Sequence, residues 1–146
     1  MTDDAIKKTC EGIELLVLAA DDEIAVLNSL KRLLARACKG KYTVVTASDG
    51  KEAIERVDGL VAERKDLAVV ISDYLMPHHN GGVVLDHVRN VSPQTMTILL
   101  SGTHSGQDNS RYADYSIEKP WDSRQLVETV DKCIKEYEQM MPACKK

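Results

Sequence analysis

The chain has 146 residues, 43% of them hydrophobic, which is enough for one buried core and too short for two full-sized domains. Disorder along the whole chain is therefore excluded. Its 19 Lys and Arg face 23 Asp and Glu, a formal charge of −4. This argues against nucleic acid or an anionic membrane as partner, although a local basic patch is compatible with it.

Residues 1–12 read as an N-terminal extension, and the opening stretch MTDDAIKKTCEGIE is charged and carries no apolar signal-peptide core. Leu15 to Ala20 (LLVLAA) is short and apolar on both parities, which suits a strand buried on both faces. After Asp22, the residues Val26, Leu27, Leu30, Leu33 and Leu34 recur at helical spacing. Tyr42 to Ala47 (YTVVTA), rich in β-branched residues, predicts the second strand. Ser48-Asp49-Gly50 then opens a stripe of Ala53, Ile54, Val57, Leu60 and Val61. Leu67 to Ile71 (LAVVI) is the third strand, and Asn80-Gly81 precedes a shorter helical stripe of Val84, Leu85 and Val88. Thr95 to Leu100 (TMTILL) is the fourth strand. Thr103 to Tyr112 (THSGQDNSRY) has almost no apolar residues, so a short, poorly anchored and mobile helix is expected there.

In the fifth strand, Ala113 to Ile117, the residues Ala113, Tyr115 and Ile117 alternate with Asp114, Ser116 and Glu118, which places a wetter face at a sheet edge. After Asp122-Ser123, a long stripe runs through Leu126, Val127, Val130, Ile134, Tyr137 and Met141, and residues 142–146 read as a tail. The Asp, Ser and Asn residues before these stripes are natural helix N-caps. Strand and helix alternate five times, which predicts a single domain over residues 13–141 with an open, doubly wound parallel sheet. With no Phe in the chain, its core is expected to be Leu, Ile, Val, Ala and Met.

No segment reaches the roughly 18 apolar residues of a membrane helix. The four cysteines, Cys10, Cys38, Cys133 and Cys144, form no Cys-x-x-Cys pair and read as reduced structural thiols. A cytoplasmic location is expected.

In sheets of this kind the functional crevice lies at the carboxyl ends of the strands. The first strand ends in Asp21-Asp22, the third in Asp73, the fourth in Ser101-Gly102 and the fifth in Lys119-Pro120. Taken singly, Asp21 or Asp22 suits a helix cap, Asp73 a turn, Ser101-Gly102 a loop and Lys119 a solvated surface. Together they converge on one edge. Three carboxylates a few ångströms apart repel by about 4 kcal/mol per pair at an effective dielectric near 20 unless a cation neutralises them. Mg2+, an oxygen-ligated ion that keeps several waters, fits this need and leaves room for a phosphoryl oxygen. Lys119 and Ser101 suit two other phosphoryl oxygens. One carboxylate can act as nucleophile and form an acyl phosphate, and Asp73, at the end of the predicted central strand, is the best placed.

The segments LLVLAADDEIAVLNSL, VVISDYLMPHHNGG, TILLSG and EKPWD, in this order and at these separations, resemble the receiver domain of two-component response regulators, a CheY-like domain. The likeness runs from about Ile13 to Met141. It implies a flavodoxin-like (βα)5 fold with strand order 2-1-3-4-5. It implies that Asp73 accepts a phosphoryl group from a histidine kinase or phosphotransfer protein. It implies Mg2+ ligands at Asp21, Asp22, Asp73 and the backbone carbonyl of Leu75. Ser101 takes the switch hydroxyl position, followed by Gly102, and Lys119 contacts the phosphoryl group ahead of a cis bond to Pro120. The implied downstream partner is a protein target, or an output domain absent from this chain.

The sequence departs from the family pattern in three places. The aromatic usually three residues before the lysine is replaced by Ser116, with Tyr115 one residue earlier and, by strand parity, on the opposite face. His78 and His79 follow Met76-Pro77 where glycine is common at the first position, and they read as exposed loop residues. The polar stretch Thr103 to Tyr112 makes the output surface atypical. Two other functions compete with the phosphorylation switch. One is a receiver-like protein-binding module that ignores phosphate, which Ser116 favours. The other is an Mg2+-dependent phosphohydrolase, which Leu75 argues against because such enzymes carry a second acid at that position. No turnover of external substrates is expected. A homodimer through the last helix, with its terminal Met140-Met141, is compatible with the sequence.

Overall fold

A computed structural model describes residues 14–102 and 113–141. Its elements are β1 (Leu15–Ala20), α1 (Ile24–Cys38), β2 (Tyr42–Ala47), α2 (Gly50–Ala62), β3 (Asp66–Asp73), α3 (Gly81–Val91), β4 (Met96–Ser101), β5 (Tyr115–Glu118) and α4 (Ser123–Met140). The five strands are all parallel, in the order β2-β1-β3-β4-β5. The mobile helix expected over Thr103 to Tyr112 lies outside the described residues.

Two apolar clusters lie on opposite faces of the sheet, because successive strand residues point to opposite sides. Leu15, Val17 and Ala19 pack with α1 and α4, whereas Leu16, Leu18 and Ala20 pack with α2 and α3. The core is mostly aliphatic; among the described residues Met96 is the one buried methionine, with Met76 and Met141 packed at the margins, while Tyr42 and Tyr137 are buried as whole side chains. Each phenol finds an acceptor: Tyr42 donates to the Leu34 carbonyl and Tyr137 to Asp66, both at 3.3 Å. That satisfaction is what lets tyrosine stand in for the missing phenylalanine.

The β1–β3 ladder carries an irregularity between Leu16 and Val17, which pair with Leu67 and Val69. Ala68 is the extra residue, and Ala68 and Val69 consequently both face the α1–α4 cluster. Beyond it Ala20 pairs with Ser72, so Asp21 and Asp73 fall side by side. Asp73 pairs with Leu100 and Ser101 with Glu118, which brings Ser101 and Lys119 to the same edge.

Three helix starts carry the caps expected from sequence. Asp49 accepts from the Glu52 N–H, Asn80 from Val83 and Asp122 from Arg124. The first helix does not: its cap position is Glu23, with no side-chain cap bond, and Asp22 plays no capping part. A second correction concerns β5, which begins at Tyr115 rather than Ala113. Ala113 packs with the α2–α3 cluster, on the opposite side of the sheet from Tyr115 and Ile117. Asp114 breaks the alternation by tying the start of β5 to β4: its carboxylate accepts from the Thr97 N–H at 2.9 Å and the Thr97 hydroxyl at 3.1 Å.

Two glycines let the loops close over the strand ends. A Cβ at Gly81 would overlap the carbonyl oxygen of Asp73, and one at Gly50 the backbone of His79. Gly59, inside α2, has nothing within 4 Å. Gly81→Ala is expected to cost about 1–3 kcal/mol in urea unfolding, while Gly59→Ala gains about 0.5–1 kcal/mol.

Candidate functional site at the carboxyl edge of the sheet

Asp21, Asp22 and Asp73 each offer a carboxylate oxygen, and these oxygens lie within 4.8 Å of one another. Asp21 and Asp73 are buried and Asp22 is exposed. The Lys119 ammonium stands 2.8 Å from Asp73 Oδ1 and 3.6 Å from Asp21 Oδ2. One Asp21 oxygen accepts the Glu23 N–H at 2.9 Å, which directs the carboxylate inward instead of onto the end of α1. The other, Oδ2, is the one buried side-chain polar atom without a hydrogen-bond partner among the described residues.

The backbone around the pocket is cross-linked. The Tyr74 N–H donates to the Leu100 carbonyl at 2.9 Å, and Gly81 N–H returns to the Tyr74 carbonyl at 2.7 Å. Lys119 N–H donates to the Ser101 carbonyl at 2.8 Å. The Ser72 hydroxyl donates to the Asp73 carbonyl at 3.0 Å. The backbone next to Asp73 is therefore tied to β4 and to the N-terminus of α3. The Lys119–Pro120 bond is cis.

The electrostatics follow from burial. Desolvation pushes the Asp73 carboxyl above the ordinary carboxylate range, partly offset by Lys119 and reinforced by the charges of Asp21 and Asp22. Asp21 moves the same way, chiefly by desolvation, against the Glu23 hydrogen bond and Lys119. Burial pulls Lys119 down, but its hydrogen bond to Asp73 and the two carboxylate charges outweigh this and hold the ammonium protonated. Three carboxylates share one ammonium and one of their buried oxygens has no hydrogen bond, so the cluster fits a hard divalent cation such as Mg2+, which adds the positive charge the lysine alone does not supply.

The remaining candidates occupy graded positions. Ser101, buried, ends β4 beside Asp73, and Gly102 follows it at the surface. Leu75 is 73% exposed in the β3–α3 loop. His78 and His79 are exposed and stand outside the acidic cluster. His78 has φ +71°, the left-handed region that favours glycine. Ser116 is exposed, whereas Tyr115 turns to the other face, where its hydroxyl donates to Glu136 at 2.7 Å and the Lys132 ammonium lies over its ring. That bond pushes the phenol up to about 12.

Sequence reasoning missed two features. Gly81 presses the α3 backbone onto Asp73, and its only trace is the Asn-Gly-Gly run after the loop. A cleft of about 660 Å3 opens beside Lys119, lined by Glu23, Ala25, Val26, Ser29, Pro120 and Trp121 among others. It joins α1 to the β5–α4 loop, a pairing that no local pattern announces.

The family model of the response regulator receiver domain matches residues 17–131. The chain belongs to this family and is a receiver domain of the two-component type. It is 27% identical over 131 residues to the hydrogenase transcriptional regulatory protein HoxA of Bradyrhizobium diazoefficiens, covering 86% of this chain and 25% of that protein. To the sensor kinase CckA of Brucella abortus it is 30% identical, covering 87% of this chain and 13% of that protein. The chain thus spans a third or less of the length of the first curated relatives it matches. Among solved structures, a response regulator receiver domain protein from Clostridium thermocellum is 26% identical with a TM-score of 0.74, covering 87% of this chain and 99% of that one. The response regulator TrrA of Thermotoga maritima, in complex with Mg2+-BeF, is 28% identical with a TM-score of 0.68, covering 81% and 97%.

Raised carboxyl pKa values mean that the folded state holds these protons more tightly than the unfolded chain. In metal-free protein their contribution to stability is present at low pH and falls as pH rises from the ordinary carboxylate value through the raised one. Asp21→Asn is expected to raise the neutral-pH melting temperature of metal-free protein by about 3 °C. Mg2+ at a hundredfold excess over its Kd should stabilise wild type by about 2.7 kcal/mol and the variant far less, as read by calorimetry.

Proposed function

We propose that the chain is the phosphoacceptor of a two-component relay, taking a phosphoryl group onto Asp73 from the phosphohistidine of a histidine kinase or phosphotransfer protein. One observation carries this reading: a buried carboxylate at the end of the central strand, 2.8 Å from an ammonium and clustered with two further carboxylates. Asp21, Asp22, Asp73 and the backbone carbonyl of Leu75 would hold Mg2+. The ion supplies Lewis-acid stabilisation of charge on the phosphoryl oxygens.

An Asp73 carboxylate oxygen attacks phosphorus, and the phosphorus–nitrogen bond to the donor imidazole breaks with its electron pair left on the ring nitrogen. The product is an acyl phosphate on Asp73. Lys119 then exchanges part of its ion pair with Asp73 for a phosphoryl oxygen, and the Ser101 hydroxyl and Gly102 N–H donate to another. Attack by water on phosphorus breaks the bond to the Asp73 oxygen, releases inorganic phosphate and returns the free carboxylate, so the chain phosphorylates and dephosphorylates itself and turns over no external substrate. The working unit is residues 13–141, acting in the cytoplasm on a downstream protein target or an attached output domain, without direct nucleic-acid or membrane contact. A homodimer through α4 is compatible with this role.

A phosphorylation-independent binding module is the second reading, favoured by one observation. Tyr115 is engaged by Glu136 and Lys132 on the α4 side, and exposed Ser116 offers no aromatic to follow the Ser101 hydroxyl.

Incubation with acetyl phosphate and Mg2+ separates the two. Wild type is expected to gain one phosphoryl mass, and Asp73→Asn none. Lys119→Met should slow the gain about 100-fold. Tyr115→Phe should match wild type in rate while losing about 1 kcal/mol of stability. Absence of an adduct in folded wild type would leave the binding module as the function.

A further inference from the structure

The turn between β2 and α2 carries no carboxylate of the acidic cluster, yet it touches the two segments on either side of it. Where β2 ends, the Ala47 carbonyl accepts the Asp21 N–H at 3.2 Å, which fixes the backbone of the first carboxylate. Three residues on, Gly50 is buried against the backbone of His79 in the β3–α3 loop. A Cβ at Gly50 would stand 2.8 Å from both the carbonyl carbon and the Cβ of His79, closer than side chains approach. Gly50 lies outside the left-handed region, so its own conformation does not call for glycine. What excludes a side chain is the approach of the loop.

Both sides of this contact are braced. On the α2 side, Asp49 accepts the Glu52 N–H at 2.7 Å and Glu52 accepts the Ser48 N–H at 3.2 Å, a reciprocal pair of the capping-box kind. On the loop side, Tyr74 and Met76 pack against the α2–α3 cluster, while the side chain of Leu75 between them is exposed. His79 N–H donates to the Pro77 carbonyl at 2.9 Å around His78 at φ +71°, the pattern of the strained form of the γ-turn. A strained turn persists only where its surroundings hold it. Gly81 holds the loop through its bond to the Tyr74 carbonyl, and Gly50 backs it at His79.

We infer, on the reading that Asp21, Asp22, Asp73 and the Leu75 carbonyl hold Mg2+, that the turn over residues 47–50 is a bracket for the metal pocket, in which Gly50 is a positioning residue that seats the β3–α3 loop relative to Asp21. A backbone carbonyl has no rotamer to adjust, so its place is set by the path of the chain alone. The sheet fixes Asp21 and Asp73 through β1 and β3, but the β3 ladder ends at Asp73, two residues short of Leu75. The bracket supplies the missing constraint from β2, on the other side of β1. It contributes no ligand of its own, because the Asp49 carboxylate is committed to the cap and stands outside the acidic cluster.

The test compares Gly50→Ala with Gly59→Ala, which adds the same methyl group to α2 where nothing lies within 4 Å. Amide hydrogen exchange is read on the metal-free full chain, and Mg2+ affinity by calorimetric titration. In Gly50→Ala the His79 and Gly81 amides are expected to exchange about tenfold faster than in wild type, and the Kd for Mg2+ to rise about tenfold. Gly59→Ala should match wild type in both. If Gly50→Ala does not fold, as read by circular dichroism, the double variant Gly50→Ala with His78→Gly decides, since a glycine at 78 lets the loop step aside. It too should bind Mg2+ about tenfold more weakly. The inference is overturned if the Gly50 variant that folds binds Mg2+ as wild type does, or if its loop amides exchange unchanged. It is equally overturned if Gly59→Ala weakens Mg2+ binding as much, or if neither Gly50 variant folds. A wild type that binds no Mg2+ overturns the metal reading itself and the bracket with it, whereas equal binding by wild type and the Gly50 variants sinks the bracket alone.

Discussion

One ammonium shared between two desolvated carboxylates organises this molecule. Asp21 and Asp73 are taken out of water at the ends of adjacent strands, and Lys119 reaches both from the end of the edge strand β5. Burying two like charges costs several kcal/mol per ion unless they are compensated. The two carboxylates and the ammonium sit at three different strand ends, so the compensation exists only when β1, β3 and β5 are all in place. The pocket is a readout of correct global pairing and a point of stored electrostatic tension. A phosphoryl group or a divalent ion acts on that tension directly, by changing the charge that Lys119 has to balance.

Much of the fold was legible because it rests on local signals. Short apolar runs such as LLVLAA and helical stripes such as that of α1 are physical consequences of burial on two faces or one. The caps Asp49, Asn80 and Asp122 were visible for the same reason. The failure at Asp22 is informative. By composition Asp21-Asp22 resembles a cap, yet the Glu23 N–H holds Asp21 toward the pocket. A residue's competing partners come from the folded sheet, and a single sequence does not display them. Ala113 was misassigned in a similar way. The alternation pattern is sound, but Asp114 uses its side chain as a ladder acceptor and resets the strand.

At the site, the convergence of Asp21, Asp22, Asp73 and Lys119 followed from parallel topology alone, since parallel strands put all their carboxyl ends on one edge. The cleft beside Trp121 and the contact of Gly81 with Asp73 did not follow, because both arise from packing between elements distant in sequence. The Tyr115 and Ser116 pair lies between these cases. Parity placed them on opposite faces, while the engagement of the phenol by Glu136 needed the position of α4. Ser116 stands at the position of the family's usual aromatic, and the neighbouring Tyr115 is engaged in a helix contact instead.

The extra residue at Ala68 makes the molecule unequally sensitive to changes in chain length. Loss of Ala68 itself would regularise the β1–β3 ladder and leave Asp73 opposite its present neighbours. Loss of any one residue between Val69 and Asp73 would draw the carboxylate back one step and turn it to the other face. The same one-residue deletion is therefore silent for the pocket on one side of the bulge and abolishes the pocket on the other. The spacing from Val69 to Asp73 is as much a part of the site as the aspartate at its end.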